Sequence, residues 1–139
     1  MTRYLLDTNI ISDLFRNPNG AVERSLREHR RDQIGINLIV RGEILFGLSR
    51  TSNHRGRRAF DALLETIDVW SLESPVEDEY ASLRVVLERQ GIQMGPHDLW
   101  IASHGIVLDA VVVTDDRAFA RVPGLRIENW LRDVTADRE

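Results

Sequence analysis

Apolar and polar positions follow two different periods along this chain. Tyr4-Leu5-Leu6 and residues 110–113 are unbroken apolar runs, which read as strands buried on both faces of a parallel sheet. Ile34 and Ile36 mark a short strand over residues 33–37, and Val69 and Trp70 another over 68–72. Residues 125–128 read as a last, edge-like strand. Between these runs the period changes to that of a helix. Helices are expected over residues 21–31 and over 39–49, the latter carrying Ile44, Leu45 and Leu48. Phe60, Leu63, Leu64 and Ile67 stand at i, i+3, i+4 and i+7, one helical face. In Ser74-Pro75-Val76-Glu77, serine suits a cap, proline the first helical position and glutamate the third, a capping box. Val76, Tyr80, Leu83 and Leu87 continue that helix on one face until Gly91 stops it. Gly95-Pro96 opens another helix over 97–105, and 115–121 reads as a short helix or loop. Trp130 and Leu131 are expected to pack the C-terminal end. Strands alternating with helices predict an α/β fold, a mostly parallel sheet with helices on both faces.

That pattern gives the acidic residues an address. Asp7 follows the first strand, with Thr8 and Asn9 as turn-forming residues after it. Glu43 lies early in the helix after the second strand, Asp98 in the first turn of the helix opened by Gly95-Pro96, and Asp115 and Asp116 after the fourth strand. In a parallel sheet all these places fall at the carboxyl edge, where open α/β folds hold their ligands. Each residue has a local explanation: a strand end, a helix dipole or a cap. None of these explains why several meet on one edge. Carboxylates packed together raise each other's pKa unless a cation is present. With no cysteine in the chain, an all-oxygen site favours Mg²⁺ or Mn²⁺. Such an ion polarises a phosphodiester and generates a nucleophile from water near neutral pH.

Composition adds limits. The 139 residues suit one domain over 1–139, and 42% hydrophobic with 29% charged content is that of a water-soluble protein. No apolar stretch approaches a bilayer span and no signal-peptide pattern opens the chain, so a cytoplasmic location is expected. All 18 basic residues are arginine. Residues 20–58 carry nine arginines against four acids, whereas 59–139 carry seven against sixteen. An acidic chain is no general nucleic-acid coater, but Arg50, Arg55, Arg57 and Arg58 form a local cluster suited to RNA phosphates or to an acidic partner. His97, beside Asp98, is expected at the surface or in packing, since neighbours on a helix diverge by about 100°. His104, His29 and His54 have no ligand-like spacing.

Several blocks carry a resemblance: Leu5-Leu6-Asp7-Thr8-Asn9-Ile10-Ile11-Ser12, Gly42-Glu43-Ile44-Leu45-Phe46-Gly47 and Gly95-Pro96-His97-Asp98-Leu99-Trp100-Ile101-Ala102. They continue with Val113-Thr114-Asp115-Asp116 and Phe119, then Val122-Pro123-Gly124-Leu125 and Glu128-Asn129-Trp130. In order and spacing the chain resembles the PIN-domain ribonucleases of VapC type, the toxins of type II toxin–antitoxin pairs. The resemblance implies a three-layer α/β/α sandwich around a sheet of about five strands. It implies an Mg²⁺- or Mn²⁺-dependent endoribonuclease leaving 5′-phosphate and 3′-hydroxyl ends. Residue by residue it implies Asp7 and Asp98 as direct ligands, with Glu43 and Asp116 acting through water and Glu43 orienting the attacking water. Asn9, Thr114 and Asp115 are secondary site residues. A cognate antitoxin, an RNA substrate and a homodimer are the implied partners. The chain departs from the pattern before the glutamate, with Asn37 and Val40 where similar proteins often carry serine and threonine, and with Arg41. Two other readings stand beside this one. A PIN-like module of weak activity would bind RNA or protein. A strand-end aspartyl phosphatase would want a second aspartate where this chain has Asn9.

Overall fold

Among the described residues five strands form where the short apolar runs stand: β1 Arg3–Leu6, β2 Gln33–Asn37, β3 Asp68–Trp70, β4 Ala110–Val113 and β5 Arg126–Glu128. In this computed structural model, residues 1–131 are described; residues 132–139, which the single-domain expectation includes, lie outside the described residues. The sheet order is β3-β2-β1-β4-β5 and every neighbouring pair is parallel. β1 and β4 are central, which is why they read as continuous apolar runs: Leu5, Leu6, Val112 and Val113 are buried, and β5 at the edge is exposed. From β1 the chain builds to one side through β2 and β3, then returns to place β4 on the other side of β1. That reversal opens a crevice beyond the carboxyl ends of β1 and β4.

Among the described residues six α-helices flank the sheet: α1 Thr8–Arg16, α2 Ala21–Glu28, α3 Leu38–Arg50, α4 His54–Leu64, α5 Val76–Arg89 and α6 Pro96–Val107. Ile10, Ile11, Val40, Phe60 and Ile101 bury their side chains in the core. α5 ends as expected: Gly91 takes φ +70°, its N–H donates to the Glu88 carbonyl, and the Ile92 N–H donates to the Leu87 carbonyl, a Schellman closure. At the far end of the sheet Trp130 is buried, tilted against Tyr4 and stacked on His29, as packing of the C-terminal end requires.

Several local expectations are corrected. Thr8 and Asn9 form no turn; α1 begins at Thr8 because the Asp7 carboxylate caps it. The capping box is not made. Pro75 holds the N-cap position of α5, one residue later than expected, and the Ser74 hydroxyl donates to the Glu77 carboxylate, not to the helix backbone. α2 stops at Glu28, where the His29 ring donates from Nδ1 to the Ser25 carbonyl at 2.8 Å. α4 stops at Leu64, so Ile67 joins the core from outside it. β3 is shorter than 68–72, and β5 starts one residue after Leu125.

Gly35 lets β2 and β3 approach: a Cβ there would stand 2.6 Å from the Asp68 carbonyl oxygen and 2.9 Å from the Trp70 ring. Gly35→Ala is therefore expected to cost about 1–3 kcal/mol of stability. A urea midpoint equal to that of the parent protein would show that the two strands can part without loss.

Candidate active site

The crevice is furnished by the first residues past each central strand. The Asp7 N–H completes the ladder by donating to the Val113 carbonyl at 2.9 Å. Thr114, next in β4's direction, therefore faces Asp7. Asp7 is only 4% exposed. Its Oδ1 accepts from the Thr8 N–H at 2.8 Å, and its Oδ2 accepts from the Thr114 hydroxyl at 2.8 Å and the Asn9 amide at 3.2 Å. Burial raises its pKa, the three donors oppose that shift, and Asp116 adds to it. The Asn9 side chain also ties the two strand ends together: its oxygen accepts from the Asp115 N–H at 3.0 Å and its amide reaches Thr114 at 3.3 Å.

Asp116 caps a 3₁₀ turn over Arg117–Arg121, with Oδ1 accepting from the Ala118 N–H at 2.9 Å. Its own N–H donates to the Thr114 hydroxyl at 3.0 Å, which holds it on the Asp7 side. Asp115 is drawn elsewhere: it is exposed, and Oδ1 accepts from the Asn129 amide at 2.7 Å. Of the adjacent pair, Asp116 is the one coupled to Asp7 and Asp98.

Glu43 stands in the sixth position of α3, past the first turn, so a helix-dipole role does not account for it. Its Oε1 accepts from the Thr8 hydroxyl at 3.3 Å. Burial raises its pKa, and Asp7 raises it further. Asp98 does occupy the third position of α6, where a dipole would favour its charge. The dipole does not prevail. Burial comes first, and Asp7, Asp116 and Glu43 follow, together pushing Asp98 up to about 6. The four carboxylates thus sense one another, as the parallel sheet requires. Among the described residues, no three acidic or histidine side chains are drawn together tightly enough to enclose an ion as they stand. The donor set is nonetheless all-oxygen, partly buried and mutually repulsive, which is the chemistry that a hard divalent cation relieves.

Two site residues went unrecognised in the sequence. Thr8 holds Glu43, and only folding brings them together. His97, expected at the surface, is 68% exposed in its side chain, yet it stands at the site with Nδ1 3.9 Å from Glu43 Oε2. In its protonated form it lowers the pKa of Glu43 and Asp98. Thr8, Leu38, Ile39, Glu43, Phe46 and His97 line an open groove of about 520 Å³. Arg50 lies two turns after Glu43 on α3, its guanidinium 5.4 Å from the Phe46 ring centroid. Arg55, Arg57 and Arg58 are exposed on α4, and Arg57 pairs with Asp61 at 3.1 Å. None of the four arginines pairs with the site carboxylates among the described residues. Asn37 and Val40, two of the three departures, are both fully buried: Asn37 caps α3 through the Val40 N–H at 2.9 Å, and Val40 belongs to the core.

A family model for the PIN domain matches residues 4–125. Ribonuclease VapC2 of Rickettsia felis is 31% identical over 130 residues, 91% of this chain and 97% of that protein. A tRNA(fMet)-specific endonuclease VapC of Shigella flexneri is 28% identical, covering 94% of this chain and 99% of its own length. Among solved structures, VapBC2 of Rickettsia felis bound to a promoter DNA fragment superposes with a TM-score of 0.89 at 30% identity, over 93% of this chain and 99% of the other. DNA-bound VapBC of Salmonella typhimurium superposes with a TM-score of 0.87 at 26% identity, over 94% and 99%. No helix among the described residues is long and apolar enough to cross a membrane.

Proposed function

The chain belongs to the PIN domain family, among its VapC ribonucleases, and from that premise we propose that it is a divalent-metal-dependent endoribonuclease, the toxin of a toxin–antitoxin pair. The observation that carries the reading is the set of Asp7, Glu43, Asp98 and Asp116, coupled at the crevice between β1 and β4. In this reading residues 1–139 form a single PIN domain. Asp7 and Asp98 would hold Mg²⁺ or Mn²⁺ directly, with Glu43 and Asp116 holding it through water. The bound ion would supply positive charge to the scissile phosphate and lower the proton affinity of the attacking water.

The protein's own groups do the rest. Thr114, Asn9 and the Thr8 N–H donate to Asp7 and keep both its oxygens aimed into the crevice. Glu43, steadied by Thr8, orients the water and takes its proton. The water oxygen bonds to phosphorus, the bond to the 3′-oxygen breaks, that oxygen takes a proton from solvent water, and the products carry 5′-phosphate and 3′-hydroxyl ends. His97 stands at the crevice mouth beside Glu43, where a phosphate can meet it. Arg50, Arg55, Arg57 and Arg58 offer charge for the RNA backbone or for an acidic partner segment.

A cognate antitoxin is the protein partner, supported by similar proteins solved as VapBC complexes. A homodimer and a cytoplasmic location complete the proposal. The test uses the protein purified free of any antitoxin. With Mg²⁺ it should cut single-stranded RNA into fragments bearing 5′-phosphates. A protein that binds RNA and leaves it whole at every Mg²⁺ and Mn²⁺ concentration would favour a binding module.

A further inference from the structure

Asn37 and His104 are 0% and 2% exposed, and their side chains meet at 3.1 Å across 67 residues of sequence. Asn37 caps α3, the helix of Glu43; His104 lies in α6, the helix of Asp98. Their contact is the only side-chain hydrogen bond joining these two elements among the described residues. The chemistry settles its polarity. The Val40 N–H can only donate, so the atom of Asn37 facing it is the amide oxygen. The Asn37 NH₂ therefore points at His104 and donates to Nδ1. That nitrogen must carry no proton, which makes the ring a neutral imidazole with its proton on Nε2. Burial, the larger influence, lowers the ring's pKa and favours that form, and Glu73 opposes it.

One amide thus performs two tasks. Its oxygen fixes where α3 begins, and its nitrogen fixes that beginning against α6. Glu43 and Asp98 ride on these two helices, and the Glu43–His97 approach of 3.9 Å, exposed to solvent, is too loose to set their spacing. We propose that Asn37 and His104 are positioning residues that lock the Glu43 helix to the Asp98 helix and so set the carboxylate spacing that binds the metal. This rests on the proposed endoribonuclease reading. It also gives the Asn37 amide nitrogen a use beyond the capping of α3 by the amide oxygen.

The test compares His104→Leu, which removes the acceptor, with His104→Asn, whose amide oxygen replaces Nδ1. Mn²⁺ alone is titrated by calorimetry, RNA cleavage is followed in parallel, and folding is monitored by circular dichroism. His104→Leu should stay folded, bind Mn²⁺ roughly 10- to 100-fold more weakly and lose cleavage by a similar factor. His104→Asn should recover most of both. If His104→Leu does not fold, His104→Gln takes its place, since it keeps polarity but moves the acceptor one bond outward. The proposal is overturned if the acceptor-free variant binds Mn²⁺ as the parent does, or if His104→Asn loses as much as it. A parent protein that neither binds Mn²⁺ nor cuts RNA overturns the functional reading itself. A parent that does both, with variants that match it, overturns only the positioning role.

Discussion

Asp98→Asn is expected to lower RNA cleavage on the order of a thousandfold, about 4 kcal/mol of transition-state stabilisation, and to raise the melting temperature of the metal-free protein at pH 7.5. The two effects have one cause. Asp98 makes no side-chain hydrogen bond among the described residues, and burial plus three neighbouring carboxylates push it up to about 6. Its negative charge is useful only when a cation is present. Asparagine keeps the shape and removes the charge, so the metal loses a ligand while the empty cluster loses a source of repulsion. The pH dependence follows. The folded protein holds a proton on Asp98 up to about 6, whereas the ordinary value is 3.8. Between those values the native state binds more protons than the unfolded chain, so stability falls as pH rises. The contribution is fully present below the lower value and is lost through the upper one. Asp98→Asn should flatten that part of the stability profile. Cleavage within tenfold of the parent would remove Asp98 from the metal, and a melting temperature that drops would refute the repulsion account.

Chelation should take cleavage to background, and returning Mg²⁺ or Mn²⁺ should restore it. The same ion should stabilise the fold by an amount that depends on pH. At a free concentration one hundred times the dissociation constant the gain is about 2.7 kcal/mol, or roughly 8 °C in melting temperature for a chain of this size. That gain belongs to pH 7.5. At pH 5 protons occupy Asp98, and the raised pKa values of Asp7 and Glu43 add to the competition, so the shift should shrink markedly. Thermal scans with and without Mn²⁺ at the two pH values measure it. An equal shift at both would place the ion somewhere other than these carboxylates. Cleavage that survives chelation would remove the metal from the reaction.

The strands and most helices were legible because their information is local. Leu5, Leu6 and residues 110–113 announce central strands by being apolar without interruption, and Gly91 announces a helix end because φ +70° suits glycine. The caps were less legible. Ser74 had the right neighbours for a capping box, but α5 starts one residue later, and its hydroxyl turns to Glu77. Asp7 ends its strand and also caps α1, one of the local roles open to it in the sequence. At these ends a single residue of register decides which donor a side chain can reach.

By itself the sequence determined an α/β order of elements, and it placed Asp7, Glu43, Asp98 and Asp116 at strand ends and in early helical turns. Period and chain order encode this much, since each depends on residues a few positions apart. Only the tertiary structure decided what those carboxylates face. It tied Asp116 to Thr114 and drew Asp115 to Asn129, gave Glu43 its Thr8 support, turned His97 towards Glu43 and joined Asn37 to His104. Each of these contacts depends on how far one helix is rotated and slid against another. That rotation is set by the packing of side chains distant in sequence, and no local period records it.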